Sequence, residues 1–283
     1  MRRHDSTDPQ PTDPSATDPH STDGSASPPG PSHVLQVVRA GHDGDPTRVR
    51  TALTDPDAEG RAAALGALVR LGRSGLVPPT EAGHALMEAL EDPSPAVRRR
   101  AAGECASWAT LAASADAGET HPGHATARES STATAGELIT ALLPLLDDDD
   151  HRVAEVAAFA CGEVVPALAA HPGGAGSAES GRTTPCHDAA VHALSRVAID
   201  HDEHLCREAA VAALGSIGDP AGMPAVLAAC RDRSSIRRRA VLALAAFDHP
   251  DATAELRRLT DDRDLQVRQA AEELLAIESG EVT

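Results

Sequence analysis

Residues 262–275 read DRDLQVRQAAEELL, and the same line returns upstream as DPDAEGRAAALGAL (55–68), DPSPAVRRRAAGEC (92–105), DDDHRVAEVAAFAC (148–161), HDEHLCREAAVAAL (201–214) and RDRSSIRRRAVLAL (231–244). In the aligned copies one column carries Arg61, Arg98, Ala154, Arg207, Arg237 and Arg268. Three residues later every copy has Ala: Ala64, Ala101, Ala157, Ala210, Ala240 and Ala271. Seven residues after the Arg column stand Leu68, Cys105, Cys161, Leu214, Leu244 and Leu275. Positions −1, +3, +6 and +7 from the Arg column share one face of a helix with 3.6 residues per turn, and a small residue at +3 lets a neighbouring helix come close.

Each copy also begins as a helix begins. Four residues before the Arg column stand Asp57, Ser94, Asp150, Glu203, Arg233 and Asp264, and Asp or Ser there can accept from the unpaired N–H groups of a first turn. Ahead of most copies lies a second apolar stretch, as in AGHALMEALE (82–91), GELITALLPLL (136–146), DAAVHALSRVAI (188–199) and ATAELRRLT (252–260). The unit is helix, tight turn, helix, and such a pair cannot cover its own apolar face. Six copies therefore stack to share a core, which predicts an all-α fold, an α-solenoid of about six helix-turn-helix repeats. Composition agrees: with one Trp, two Phe and no Tyr, the core is built from Ala, Leu and Val, which favours packed helices over sheets.

The pattern resembles HEAT repeats, in particular the short Ala-rich repeats of phycobilisome-lyase-like HEAT proteins, over about residues 43–278. The resemblance implies an inter-repeat ladder between the Asp that opens each copy and the Arg six residues on. That pair is present as Asp55/Arg61, Asp92/Arg98 and Asp262/Arg268, while Ala154, His201 and Arg231 break it, so the middle repeats are expected to be less regular. It also implies that the second helices line the concave side of the stack. Residues one and five places after the Arg column are then expected to face the groove or a neighbouring repeat.

The Arg column is spaced 37, 56, 53, 30 and 31 residues apart, against about 30 for so compact a repeat. Insertions at about 113–134 and 171–185, rich in Gly, Ser, Thr and His, account for most of the excess and read as loops on one rim. Residues 1–32, with TDP at 7–9, 12–14 and 17–19, have no apolar periodicity and read as a disordered low-complexity tail ahead of a solenoid over 33–278.

Asp plus Glu exceed Lys plus Arg by 43 to 25, every one of those bases is Arg, and the formal net charge is −18. This balance excludes a general nucleic-acid or anionic-membrane binder, and it matches either the acidic surfaces of proteins from high-salt cytoplasm or the Arg, Ala, Gly and Pro usage of a GC-rich genome. Cys105, Cys161, Cys186, Cys206 and Cys230 contain no CxxC pair, and no secretory signal or membrane-spanning run is present. These features predict a soluble cytoplasmic protein with reduced thiols.

Candidate chemistry is sparse. HPGH (121–124) and HDEHLC (201–206) each place two His three apart, and His151 and His204 share a column, yet four convergent ligands are not in sight. HEAT-scaffold deoxyhypusine hydroxylases hold iron through His-Glu pairs, and none of the 14 His here precedes Glu. Bilin lyases are the other enzymatic relatives, but Cys105 and Cys161 stand where other copies have Leu, as small core residues would. No catalytic, cofactor-binding or metal-ligating residue is assigned and no cofactor is expected. The expected function is a non-catalytic protein-interaction scaffold or adaptor, with a lyase-like or cofactor-handling maturation factor as the alternative. The face offered to a protein partner combines Arg99 and Arg238 at the +1 column, beside Glu155 and Glu208, with Phe159 and Leu242 at the +5 column, on either side of Ala212.

Overall fold

The computed structural model describes residues 31–117, 134–169 and 184–278, and every regular element among them is helical. Of the segments read as loop insertions, 118–133 and 171–183 lie outside the described residues, as do the HPGH stretch and all but the last two residues of the N-terminal tail. Residues 113–117 are not loop but continue a helix, and Thr134 and Thr184 stand at the N-caps of the helices that follow, the second of which opens at Pro185. Helix α1 (Pro31–Asp43) is followed by six pairs. These are α2 (Pro46–Ala52) with α3 (Ala58–Arg73), α4 (Pro79–Leu90) with α5 (Pro95–Ala117), and α6 (Ala135–Leu142) with α7 (His151–Ala169). The last three are α8 (Pro185–Asp200) with α9 (His204–Ile217), α10 (Met223–Ala229) with α11 (Ser234–Leu244), and α12 (Pro250–Leu259) with α13 (Leu265–Glu278). A 3₁₀ turn, Leu143–Asp147, prolongs α6, and another, Pro220–Gly222, precedes α10. No described helix is long and apolar enough to cross a membrane.

The second helix of each pair packs on the second helix of the next, α3 on α5 through to α11 on α13, giving an α-solenoid. The Ala column is what lets them approach: all six of its side chains are completely buried. The −1 column (Val97, Val153, Cys206, Ile236, Val267) is buried beside it, all but Val97 within one continuous apolar core running from Ala40 to Ala271. Several helix starts follow the sequence reading. Asp57 accepts from the Gly60 N–H, Asp150 from Arg152, and Asp264 from Gln266 and Val267. Position +4 differs in the last copy. Leu65, Ala102, Ala158, Val211 and Val241 are all buried there, whereas the last copy has exposed Glu272.

The ladder connects differently from the expectation. Each Arg reaches the Asp of the following repeat: Arg61 donates from Nε and Nη2 to Asp92 at 3.0 and 2.8 Å, and Arg98 to Asp148 at 2.7 and 2.8 Å. Arg207 holds Asp232 in the same way, and Arg237 holds Asp262. Within its own repeat the Arg uses Nη1 to cap backbone: Arg61 donates to the Asp55 carbonyl, and Arg268 to that of Asp262. Each acceptor Asp is pre-oriented by a backbone N–H from its own turn, as Asp148 is by Asp150 at 2.9 Å. One guanidinium thus ties its own turn and the next repeat together with charge-assisted bonds of fixed geometry.

The fifth repeat is not broken, because Asp232, one residue beyond Arg231, supplies the carboxylate. The expected irregularity of the middle repeats shrinks to one boundary, between α7 and α9, where Ala154 holds the donor position and His201 the acceptor position. There His201 Nδ1 accepts the Glu203 N–H at 3.0 Å, doing for its own turn what Asp does elsewhere.

Helix α1 is a further second helix that the six-copy alignment passes over. It packs on α3, and His33 stands in the Arg column, with Nε2 at 2.5 Å from Asp55 Oδ2. In the same register Val37 and Ala40 are buried at +4 and +7, and Gly41 at +8 lies against Ala67. Gly162 and Gly215, also at +8, lie against Ala213 and Ala243 in the same manner.

Candidate protein-interaction face

The second helices bury one face in the core and the flanks against each other, which leaves a strip of +1, +2 and +5 positions facing outward. In this strip Phe159 on α7 and Leu242 on α11 are each 54% exposed, and Leu205 at the start of α9 is 40% exposed. These side chains therefore do not pack between neighbouring helices. Apolar residues of this size left open at matching positions of a repeat constitute a candidate interface, since nothing in the chain's own packing requires them there.

Two grooves run along this strip. The first, of about 690 Å³, is bounded by α1, α3, α5 and α7, with Val34 and Val38 on one wall, Val156 on the other, and Arg70, Arg99 and Arg100 among its polar groups. The second, of about 310 Å³, spans α7, α9 and α11 and is lined by Phe159, Leu205 and Ala212 together with Glu155, Glu208 and Arg239. Val156 lines both, so the two form one track across successive repeats. Gly66 matters to the first groove: the Arg100 guanidinium lies flat across it, where a Cβ would come within 1.8 Å of Nη2.

The candidate residues do not share one setting. Arg99 is half-buried and lines the first groove, and Phe159 lines the second. Leu242 is open on α11 beyond the mapped lining of either groove. Arg238 is turned along the helix array: its Nε donates to the Ser234 carbonyl at 3.3 Å and its Nη1 to Gln266 Oε1 on α13, so much of its donor capacity is used within the protein. The sequence reading missed Leu205, Val156 and the two α1 valines. Leu205 lies at −2 from the Arg column, a position on the same side of the helix as +1 and +5, and the α1 pair becomes legible once His33 is placed in the Arg column.

Elsewhere the described residues offer little chemistry. No group of three or more His, Cys, Asp and Glu side chains among them could hold a metal ion. His204 Nδ1 pairs instead with Glu203 at 2.7 Å. Cys105 and Cys161 are completely buried, and burial pushes the Cys161 thiol up to about 12 and that of Cys105 higher still. Both remain protonated at neutral pH, unsuited to act as nucleophiles.

A family model for HEAT repeats matches residues 191–276, from within α8 almost to the end of α13. No curated protein sequence matches the chain. Among solved structures the chain is similar to an engineered protein from a structural genomics consortium, at 20% identity over 83% of this chain and 97% of that one, with a TM-score of 0.54. It is similar to a designed armadillo repeat protein in complex with the peptide (KR)4, at 18% identity over 81% and 97% of the two chains, TM-score 0.51. It is also similar to a chain from a structure of Kap95p with RanGDP, at 14% identity over 88% of this chain and 38% of that one, TM-score 0.50. At such identities the likeness establishes the solenoid fold alone.

Proposed function

We propose that the protein is a non-catalytic interaction scaffold that holds a protein partner along the second-helix face of its solenoid. The observation that carries this reading is Phe159: the larger of the groove's apolar side chains stands half in solvent on the open face, flanked by charge, in a chain with two Phe in total. An aromatic anchor with polar and charged groups at its rim is a common arrangement of an interface, and a solenoid offers it on an extended surface. The solved neighbours that hold a peptide or a protein are consistent with this use of the fold. Among HEAT repeats, the last copies, 30 and 31 residues apart and rich in Ala, are of the short phycobilisome-lyase-like type. In this reading the setting is the cytoplasm, where free thiols persist.

The test is affinity capture from the native host with the wild-type chain and with Phe159→Ser and Leu242→Ser, followed by mass spectrometry. A specific partner retained by the wild type and lost from both variants, with unfolding midpoints unchanged, is the expected result. A partner held equally by all three proteins would refute the reading.

A further inference from the structure

The track along the second helices divides its chemistry between its two grooves. In the first, Arg70, Arg99 and Arg100 share the lining with Glu59 and Glu104. Arg100 is committed to Glu104 at 2.7 Å. Arg70 and Arg99 have no carboxylate partner among the described residues, and Arg70 Nη1 is buried with no hydrogen-bond acceptor at all. A guanidinium donor shielded from water and left without an acceptor is an unmet demand that a carboxylate satisfies well. The second groove is of opposite character: Phe159, Leu205 and Ala212 give it apolar walls, and Glu155 and Glu208 flank it, Glu208 with Arg239 at 3.7 Å. Carboxylates thus suit the first groove and a bulky apolar side chain suits the second, with Val156 shared between them.

We propose that this face takes an extended segment of another protein in which acidic residues stand a few positions away from a large apolar side chain. The carboxylates pair with Arg70 and Arg99, and the apolar group packs on Phe159 and Leu205. The proposal rests on the reading of the second-helix face as an interaction surface and adds the chemistry of the partner. A basic segment would bring like charge to both unpaired arginines. The chain's own N-terminal stretch supplies Asp5, Asp8, Asp13, Asp18 and Asp23, but residues 2–30 contain no Val, Leu, Ile, Met, Phe, Tyr or Trp side chain, so nothing in it could fill the second groove.

The test uses the full-length chain and fluorescence anisotropy. The probes carry a neutral dye and two Glu joined to a Leu-Phe pair by Gly-Ser spacers of graded length. Two control series replace the Glu pair by Lys and the Leu-Phe pair by Ser. The expected result is saturable binding of the acidic-apolar series alone, weakened about tenfold or more by Arg99→Glu and by Phe159→Ser and largely kept by Arg99→Lys. Circular dichroism melting curves of the variants are expected to overlay the wild type. Equal binding of the Lys series, binding indifferent to Arg99→Glu, no binding of any acidic-apolar probe, or displacement of the probe by a synthetic peptide of residues 1–30 at equal concentration would each overturn the proposal. Lys-series binding that is lost with Phe159→Ser would overturn the acidic partner and leave the interaction face standing. Binding of every series unaffected by either variant would count against the face itself.

Discussion

Ala154 and His201 occupy the donor and acceptor positions of one and the same repeat boundary, so the single boundary among the described residues without a ladder rung has lost both partners together. Losing one alone would leave a half-buried charge unpaired, which is far worse than losing the pair. The space is filled by close packing instead. Ala154 is completely buried, and the Cys206 thiol donates to the His151 carbonyl at 3.2 Å. Ala154→Arg is accordingly expected to destabilise the protein by about 2 kcal/mol, with His201→Asp recovering most of that loss in the double variant. Urea unfolding of the four proteins of the cycle gives the coupling, and a coupling near zero would mean that the ladder geometry is not transferable to this boundary.

The ladder also sets the acid limit of the fold. Hydrogen bonds from the arginines hold the carboxyls of Asp92, Asp148, Asp232 and Asp262 below the usual range, against the opposing effect of burial. A carboxyl with a lower pKa folded than unfolded contributes stability that is complete above the unfolded value, about 3.9, and is lost as the pH falls through the folded value. The melting temperature is expected to hold between neutral pH and about pH 5, then to drop steeply below about pH 4. Asp148→Asn should lower it at pH 7 and make the acid decline shallower. An acid profile parallel to the wild type would show that Asp148 does not contribute to it.

Most of the fold was legible because the repeat writes one physical requirement six times. Ala at +3 and an apolar residue at −1 are needed wherever a second helix packs on both neighbours, and all of those side chains are buried. The connectivity of the ladder was less legible, because Asp and Arg six residues apart in one copy are the same residues whether they pair within a repeat or across the boundary. Only the geometry shows that Arg98 reaches Asp148, 50 residues away, and not the Asp92 carboxylate. Helix α1 was missed for a related reason. It keeps the register through Val37, Ala40 and Gly41 but has His33 for Arg and Gln36 for Ala, the two residues by which the other copies are recognised. On the candidate face, periodicity identified which positions point outward, and it could not reveal that Arg238 is engaged with Ser234 and Gln266.

Close approach at +8 makes Gly162 a sensitive position. A Cβ there would stand 2.8 Å from Ala213 Cα and 2.9 Å from its Cβ, and backbone cannot step aside as a long side chain can. Gly162→Ala is expected to cost about 1–3 kcal/mol despite the better helix propensity of Ala, because the α7 and α9 helices must separate. Gly103→Ala is the control, since its nearest neighbour would be Val156 Cγ1 at an ordinary 3.7 Å. Equal stability of the two variants would contradict the packing described for this boundary.

Phe159 and Leu242 distinguish a face kept open from a core left imperfect. Each is 54% exposed, while Leu214, on the helix between theirs, is 1% exposed. Truncating a buried Leu removes transfer free energy and leaves a cavity, so Leu214→Ala is expected to cost about 2–5 kcal/mol. Phe159→Ala and Leu242→Ala remove side chains that already meet water over half their surface, and each should shift stability by about 0.5 kcal/mol or less. Unfolding midpoints in urea for the three variants, measured with a common slope, separate the cases. A Phe159→Ala protein as unstable as Leu214→Ala would make Phe159 part of the packing between α7 and its neighbours. The exposed aromatic would then give no reason to place a partner on this face.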